Sequence, residues 1–189
     1  MPETSMWCST RWRAEAALVL ALASLLAGNA AWAHPQLPGS RLQGEATLRY
    51  FGLRVYHARL WTLPDFRVSQ PVEQAMVLEL EYLRDLPGPA IAERSLQEMQ
   101  RAGSIPEAQA RRWLAEMQRI FPDVKAGDRI SGQLLPGQGA RFSHNGRPRG
   151  QVDDPDFARL FFGIWLAPGT AEPGMRVALL GLATGSSGR

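Results

Sequence analysis

Tyr56, Tyr82, Arg54 and Arg84 are the residues whose types and placement could do chemistry. All sit on, or at the ends of, strand-like segments. A phenol or a guanidinium at the edge of an apolar chamber can hold the polar end of an amphipathic ligand. The same residues could also be aromatics packed with the hydroxyl at a rim, beside solvated arginines. Nothing else offers a reacting group. There is no GxSxG, HExxH, P-loop or dinucleotide-type glycine fingerprint, and Gly137-Gln138-Gly139 falls inside a hairpin turn. His34, His57 and His144 lack a second ligand at metal-site spacing, so neither a metal nor a cofactor is expected. Asp153, Asp154 and Asp156 could suggest a calcium loop, but capping of the following helix explains them at less cost. Asp123 and Asp128 flank a loop with no identifiable partner.

The elements that must position these residues are legible from pattern. Two β-rich runs, LQGEATLRY and LRVYHARLW, flank Phe51-Gly52 and read as a hairpin. From Met76 to Tyr82 apolar residues alternate with Val77, Glu79 and Glu81, as in an antiparallel strand with one buried face. A helix follows from about Pro89 to Ala102. A second opens on the capping-box pattern Ser104-Ile105-Pro106-Glu107, carries the stripe Ala110, Trp113, Leu114, Met117, Ile120 and Phe121, and stops at Pro122. Strands return over Asp128–Leu135 and Ala140–His144, and Asn145-Gly146 is a strong signal for a tight turn into a third. Asp154-Pro155 caps a helix over Asp156–Leu166 that is apolar nearly all round, hence buried on several sides. Gly163 in its middle suggests that another backbone passes close. Pro173 opens a last short helix through Leu180. The resulting fold class is α+β, a mainly antiparallel sheet layered with helices.

The N-terminus has the layout of an export signal: Arg11 and Arg13, an apolar run from Ala16 to Ala27, and a small-residue site at Ala31-Trp32-Ala33. The run is shorter than the roughly twenty residues a membrane-spanning helix needs. Cleavage is therefore expected after Ala33, with a periplasmic product and no stable membrane insertion afterwards. Cys8, the one cysteine, would leave with the signal. The expected divisions are residues 1–33 as signal peptide, 34–41 as a flexible leader, 42–181 as the domain and 182–189 as a frayed tail. The charge of +3 is spread over scattered arginines without a stripe or interleaved aromatics, which argues against a nucleic-acid partner.

The order Gly52-x-x-Val55-Tyr56-x-x-x-Leu60-Trp61, Tyr82-x-Arg84-Asp85, a helix pair, Phe121-Pro122-x-x-x-x-Gly127-Asp128, Asn145-Gly146-x-x-x-Gly150 and Phe161-Phe162-Gly163-Ile164-Trp165-Leu166 resembles the chalcone isomerase-like superfamily. It looks closest to its exported bacterial members. The resemblance runs over residues 42 to 181 and implies an antiparallel sheet with layered helices. Plant members close a flavanone ring; other relatives bind fatty acids. The arginine, tyrosine and serine or threonine that support the plant reaction align near Gly44, Ile105 and Ala158, which donate no side-chain hydrogen bond, so the plant mechanism is not expected. Tyr56 falls where fatty-acid-binding relatives use a tyrosine for the carboxylate. Their partner arginine falls at Gly44, leaving Arg54 or Arg41 to substitute. The leading expectation is a non-catalytic periplasmic binder of a fatty acid or similar amphipathic small molecule, with Tyr56 as anchor and Arg54 or Arg84 as charge partner. The alternatives are an isomerase or lyase using a different constellation, or an accessory protein docking on a periplasmic partner.

Overall fold

The computed structural model describes residues 33–182. The expected signal segment up to residue 32, and residues 183–189, lie outside the described residues. Strands β1 (Arg41–Tyr50), β2 (Leu53–Thr62), β3 (Met76–Tyr82), β4 (Arg129–Leu135), β5 (Gly139–His144) and β6 (Arg147–Val152) form one six-stranded antiparallel sheet in simple sequence order. Helices α1 (Gly88–Ala102) and α2 (Glu107–Ile120) are inserted between β3 and β4, and α3 (Pro155–Leu166) and α4 (Pro173–Leu179) follow β6. Both expected tight turns form with the same backbone geometry. Phe51 and Gly52 have φ of 47° and 80°, and Asn145 and Gly146 have φ of 49° and 76°.

Strand alternation sends Ala58, Leu60, Leu78, Leu80, Ile130 and Phe142 to the helix-covered face. Phe157, Phe161 and Phe162 of α3 meet them, with Phe142 and Phe161 edge-on at 5.1 Å and Phe157 stacked on Phe161 at 5.5 Å. Burying each such ring contributes on the order of 1.5–3 kcal/mol, so α3 is the central element of the core. Its start is fixed by Asp154, whose Oδ1 accepts from the backbone N–H groups of Asp156 and Phe157 while Oδ2 accepts from Arg112 and the Trp113 indole. Of the aspartate cluster, Asp154 is therefore the cap, while Asp153 accepts from Gln151 and Asp156 pairs with Arg159.

The opposite face is polar. Arg59 lies 3.0 Å from Glu79 and 3.1 Å from Glu81, and Glu81 also accepts from Arg129. Residues 34–40 cross this face as a folded strap, which corrects the expectation of a flexible leader. His34 and Leu37 are buried, the His34 N–H donates to Ser40 Oγ, and Gln36 bonds Ser143 and Gln133. Its proline and glycine residues make turns, and side-chain hydrogen bonds to the sheet anchor them.

Two further expectations are corrected. The capping box at Ser104 does not form. Pro106 is extended (ψ 140°) and α2 starts at Glu107, without a side-chain cap. At Gly163 no foreign backbone approaches, since a Cβ there would meet only the Ala167 Cβ at 3.6 Å. The close backbone approach is instead at Gly44, where a Cβ would lie 2.1 Å from the Ala178 carbonyl oxygen and 2.5 Å from that of Leu179.

Candidate functional site

Between the sheet and the paired helices α1 and α3 lies a half-open cavity of about 360 Å³, within the size range of small-molecule sites. Its floor is Leu48, Leu80 and Ile130, with Tyr56 and Tyr82 side by side on β2 and β3. Its roof is Ile91, Ser95 and Glu98 from α1 and Phe161, Ile164 and Trp165 from α3. At the rim the lining residues become exposed, among them Tyr50, Arg84, Arg94 and Glu172. The space exists because Ile91 and the small Ser95 on α1 line it on the sheet side, with Ala90 at its exposed edge, while the adjacent stripe of Ala92 and Met99 seals the core.

The polar groups in this apolar chamber are few and specifically placed. The Trp165 indole N–H donates to the Tyr56 hydroxyl oxygen at 2.9 Å. The oxygen is thereby engaged as acceptor, and the phenolic proton is left to donate. Burial, opposed by that hydrogen bond, pushes the Tyr56 pKa up to about 12. Burial likewise raises the Tyr82 pKa, with the neighbouring Tyr56 adding to it; the two rings sit edge-on at 6.0 Å. Both phenols therefore stay protonated at any physiological pH. They are hydrogen-bond donors, poorly suited to act as bases or nucleophiles.

The charges are set further out. Glu98, its side chain only 12% exposed, has Oε1 2.6 Å from Arg94 Nη2 and Oε2 3.7 Å from Arg101. The Arg94 contact is a charge contact rather than an aligned hydrogen bond, because Oε1 has no directed donor. Arg84 lines the rim with no carboxylate partner among the described residues.

Of the residues singled out from sequence, Tyr56, Tyr82 and Arg84 are brought together around this cavity. Arg54 is not. It sits exposed near the tip of the β1–β2 hairpin, paired in register with Arg49. Arg41 reaches the Pro64 carbonyl at the far end of β1, so it does not serve the cavity either. Gly44, Ile105 and Ala158 are also absent from the lining. Sequence reasoning missed Trp165 as the partner of Tyr56, along with Ser95, Arg94, Glu98 and Glu172. The spacing Ile91, Ser95, Glu98 was the available signal, a second stripe beside the apolar one on α1.

Residues 38–181 match a family model described as chalcone isomerase-like. An uncharacterized protein of Haemophilus influenzae is 30% identical over 112 residues, which cover 59% of this chain and 54% of that protein. The chain thus spans about half the length of the curated relative it matches. Among solved structures, an Arabidopsis thaliana fatty-acid binding protein superposes with a TM-score of 0.58 at 13% identity, over 79% of this chain and 95% of the other. At that identity the likeness is one of fold.

Proposed function

The chain belongs to the chalcone isomerase-like family, and from that premise we propose that it binds one amphipathic small molecule, such as a fatty acid, between sheet and helices. The observation that carries this reading is the apolar cavity with two protonated phenols inside and an arginine at its rim. The hydrocarbon part would lie against Leu48, Leu80, Ile130 and Ile164. The polar end would accept a hydrogen bond from the Tyr56 hydroxyl, with Arg84 available to a carboxylate at the rim. Similarity in fold to a fatty-acid binding protein supports the ligand class. Inside the cavity both phenols are held protonated and the lining carboxylate Glu98 is already paired with Arg94 and Arg101, an arrangement that favours binding over turnover.

The proposal includes export, with cleavage after Ala33 and a periplasmic product. The signal-like composition of residues 1–33 supports it. N-terminal sequencing of the protein from cell fractions checks this part.

The binding reading is tested by stripping the protein of lipid and titrating it with dodecanoate and with dodecanol. Saturable binding of one molecule per chain, weakened by Tyr56→Phe, is expected. No saturable binding of either compound would overturn it.

A further inference from the structure

The two tight hairpin turns have the same backbone shape but different residues, and the difference has no folding rationale. At β5–β6 the left-handed first position is held by Asn145, a residue that tolerates it; at β1–β2 it is held by Phe51, with φ of 47°. A bulky aromatic in this region is an outlier. Folding gains little from it in return, since Phe51 is 89% exposed and touches mainly the neighbouring Tyr50 ring, edge-on at 4.6 Å. Tyr50 and Leu53, each 56% exposed, flank it. Directly behind, Arg49 and Arg54 face each other across the hairpin, both exposed and without a carboxylate partner among the described residues. Arg84 stands at the same end of the sheet, at the rim of the cavity, and Tyr50 belongs both to the tip and to the cavity lining.

An apolar, aromatic tip backed by unpaired arginines is the composition of an interfacial membrane anchor: rings and Leu enter the headgroup layer while guanidinium groups meet lipid phosphates. We propose that the β1–β2 hairpin tip docks the protein on an anionic phospholipid bilayer surface, with the cavity rim turned towards the lipid. Charge complementarity selects this partner. The tip holds no acidic residue from Arg49 to Arg54, so a second copy of the same tip would be repelled. The inference stands whether or not the cavity ligand is a fatty acid.

The test uses the exported product beginning at His34, which holds no native cysteine, with a polarity-sensitive fluorophore on Leu53→Cys or, at the opposite end of the sheet, on Gln138→Cys. Phosphatidylglycerol vesicles should blue-shift the probe at 53 and not at 138, and pure phosphatidylcholine should shift neither. Binding should weaken about fivefold for each of Arg49→Gln and Arg54→Gln, and should fall with added salt. Phe51→Asn should abolish the shift while leaving the urea midpoint equal or higher, which separates loss of docking from loss of folding. Equal shifts at 53 and 138, a shift indifferent to the arginines and Phe51, or a shift that grows with protein concentration without vesicles would each overturn the proposal. The last outcome would indicate self-association.

Discussion

Replacing Tyr56 by Phe removes one oxygen from the cavity and tests two roles of that atom at once. The hydroxyl oxygen accepts from the Trp165 indole, and its proton has no acceptor among the described residues. In the empty protein the indole N–H loses its partner. An unsatisfied buried donor costs about 1–3 kcal/mol, but the cavity Trp165 lines can admit water, so a loss near ~1 kcal/mol is expected in urea unfolding. In the complex the ligand loses a donor. A hydrogen bond to a neutral acceptor is worth about 0.5–1.5 kcal/mol and one to a charged group about 1.5–3 kcal/mol. The dissociation constant should therefore rise roughly 2- to 13-fold for dodecanol and roughly 13- to 160-fold for dodecanoate. Calorimetric titration of wild type, Tyr56→Phe, Trp165→Phe and the double variant separates the roles. Trp165→Phe keeps the phenolic proton and should cost little affinity, whereas Tyr56→Phe should cost the same in either background. Affinities within twofold of wild type for Tyr56→Phe with both ligands would refute the assignment of Tyr56 as anchor.

Other substitutions probe the frame around the cavity. Gly163→Ala should stabilise the protein by up to about 1 kcal/mol, because its Cβ meets only Ala167 in ordinary contact and helix interiors favour Ala; a lower urea midpoint would contradict this. Gly44→Ala should destabilise by at least about 2 kcal/mol, since its Cβ would collide with the α4 carbonyls; an unchanged midpoint would be inconsistent with the close approach. The protein should also lose stability in acid. Glu79 is held below the usual carboxylate range by the hydrogen bond from His34, and Asp128 by that from Asn145. At Asp154 burial pushes the pKa up, but hydrogen bonds from Phe157, Trp113 and Asp156 outweigh it. A folded-state pKa below the unfolded one means stability that is present above about pH 4 and lost as pH falls through the depressed values. Thermal melts should show a fall below about pH 4, smaller in Asp154→Asn. A stability that does not decline there would argue against these pairings.

The sheet order and its turns were legible in the sequence because they are encoded locally. Gly52 between two β-rich runs and Asn145-Gly146 mark the tight hairpins, and Asp154-Pro155 fixes the start of α3. The cavity was only half legible. Tyr56 and Tyr82 stand on strands whose alternation reveals their face, and Arg84 follows just past the end of β3, whereas Arg94 and Glu98 on α1 look like an ordinary solvated i,i+4 pair until the helix is laid across the sheet. Arg54 failed because a bulge leaves Val55 unpaired between Tyr56 and Arg54, so that Arg54 pairs with Arg49 and the alternation that would set it beside Tyr56 is broken. The strap over residues 34–40 was missed for a related reason. Its anchors, Ser143 and Gln133, are more than ninety positions away in sequence.

Native mass spectrometry tests most directly whether the cavity holds a ligand. The protein, isolated from its own cells without detergent, would be compared with a Leu48→Trp variant whose indole fills the space. Wild type should carry the added mass of one amphipathic molecule, released on mild activation, and the folded variant should carry none. A bare wild-type mass that stays bare after incubation with dodecanoate, or an equal adduct on both proteins, would contradict the assignment of the cavity as the binding site.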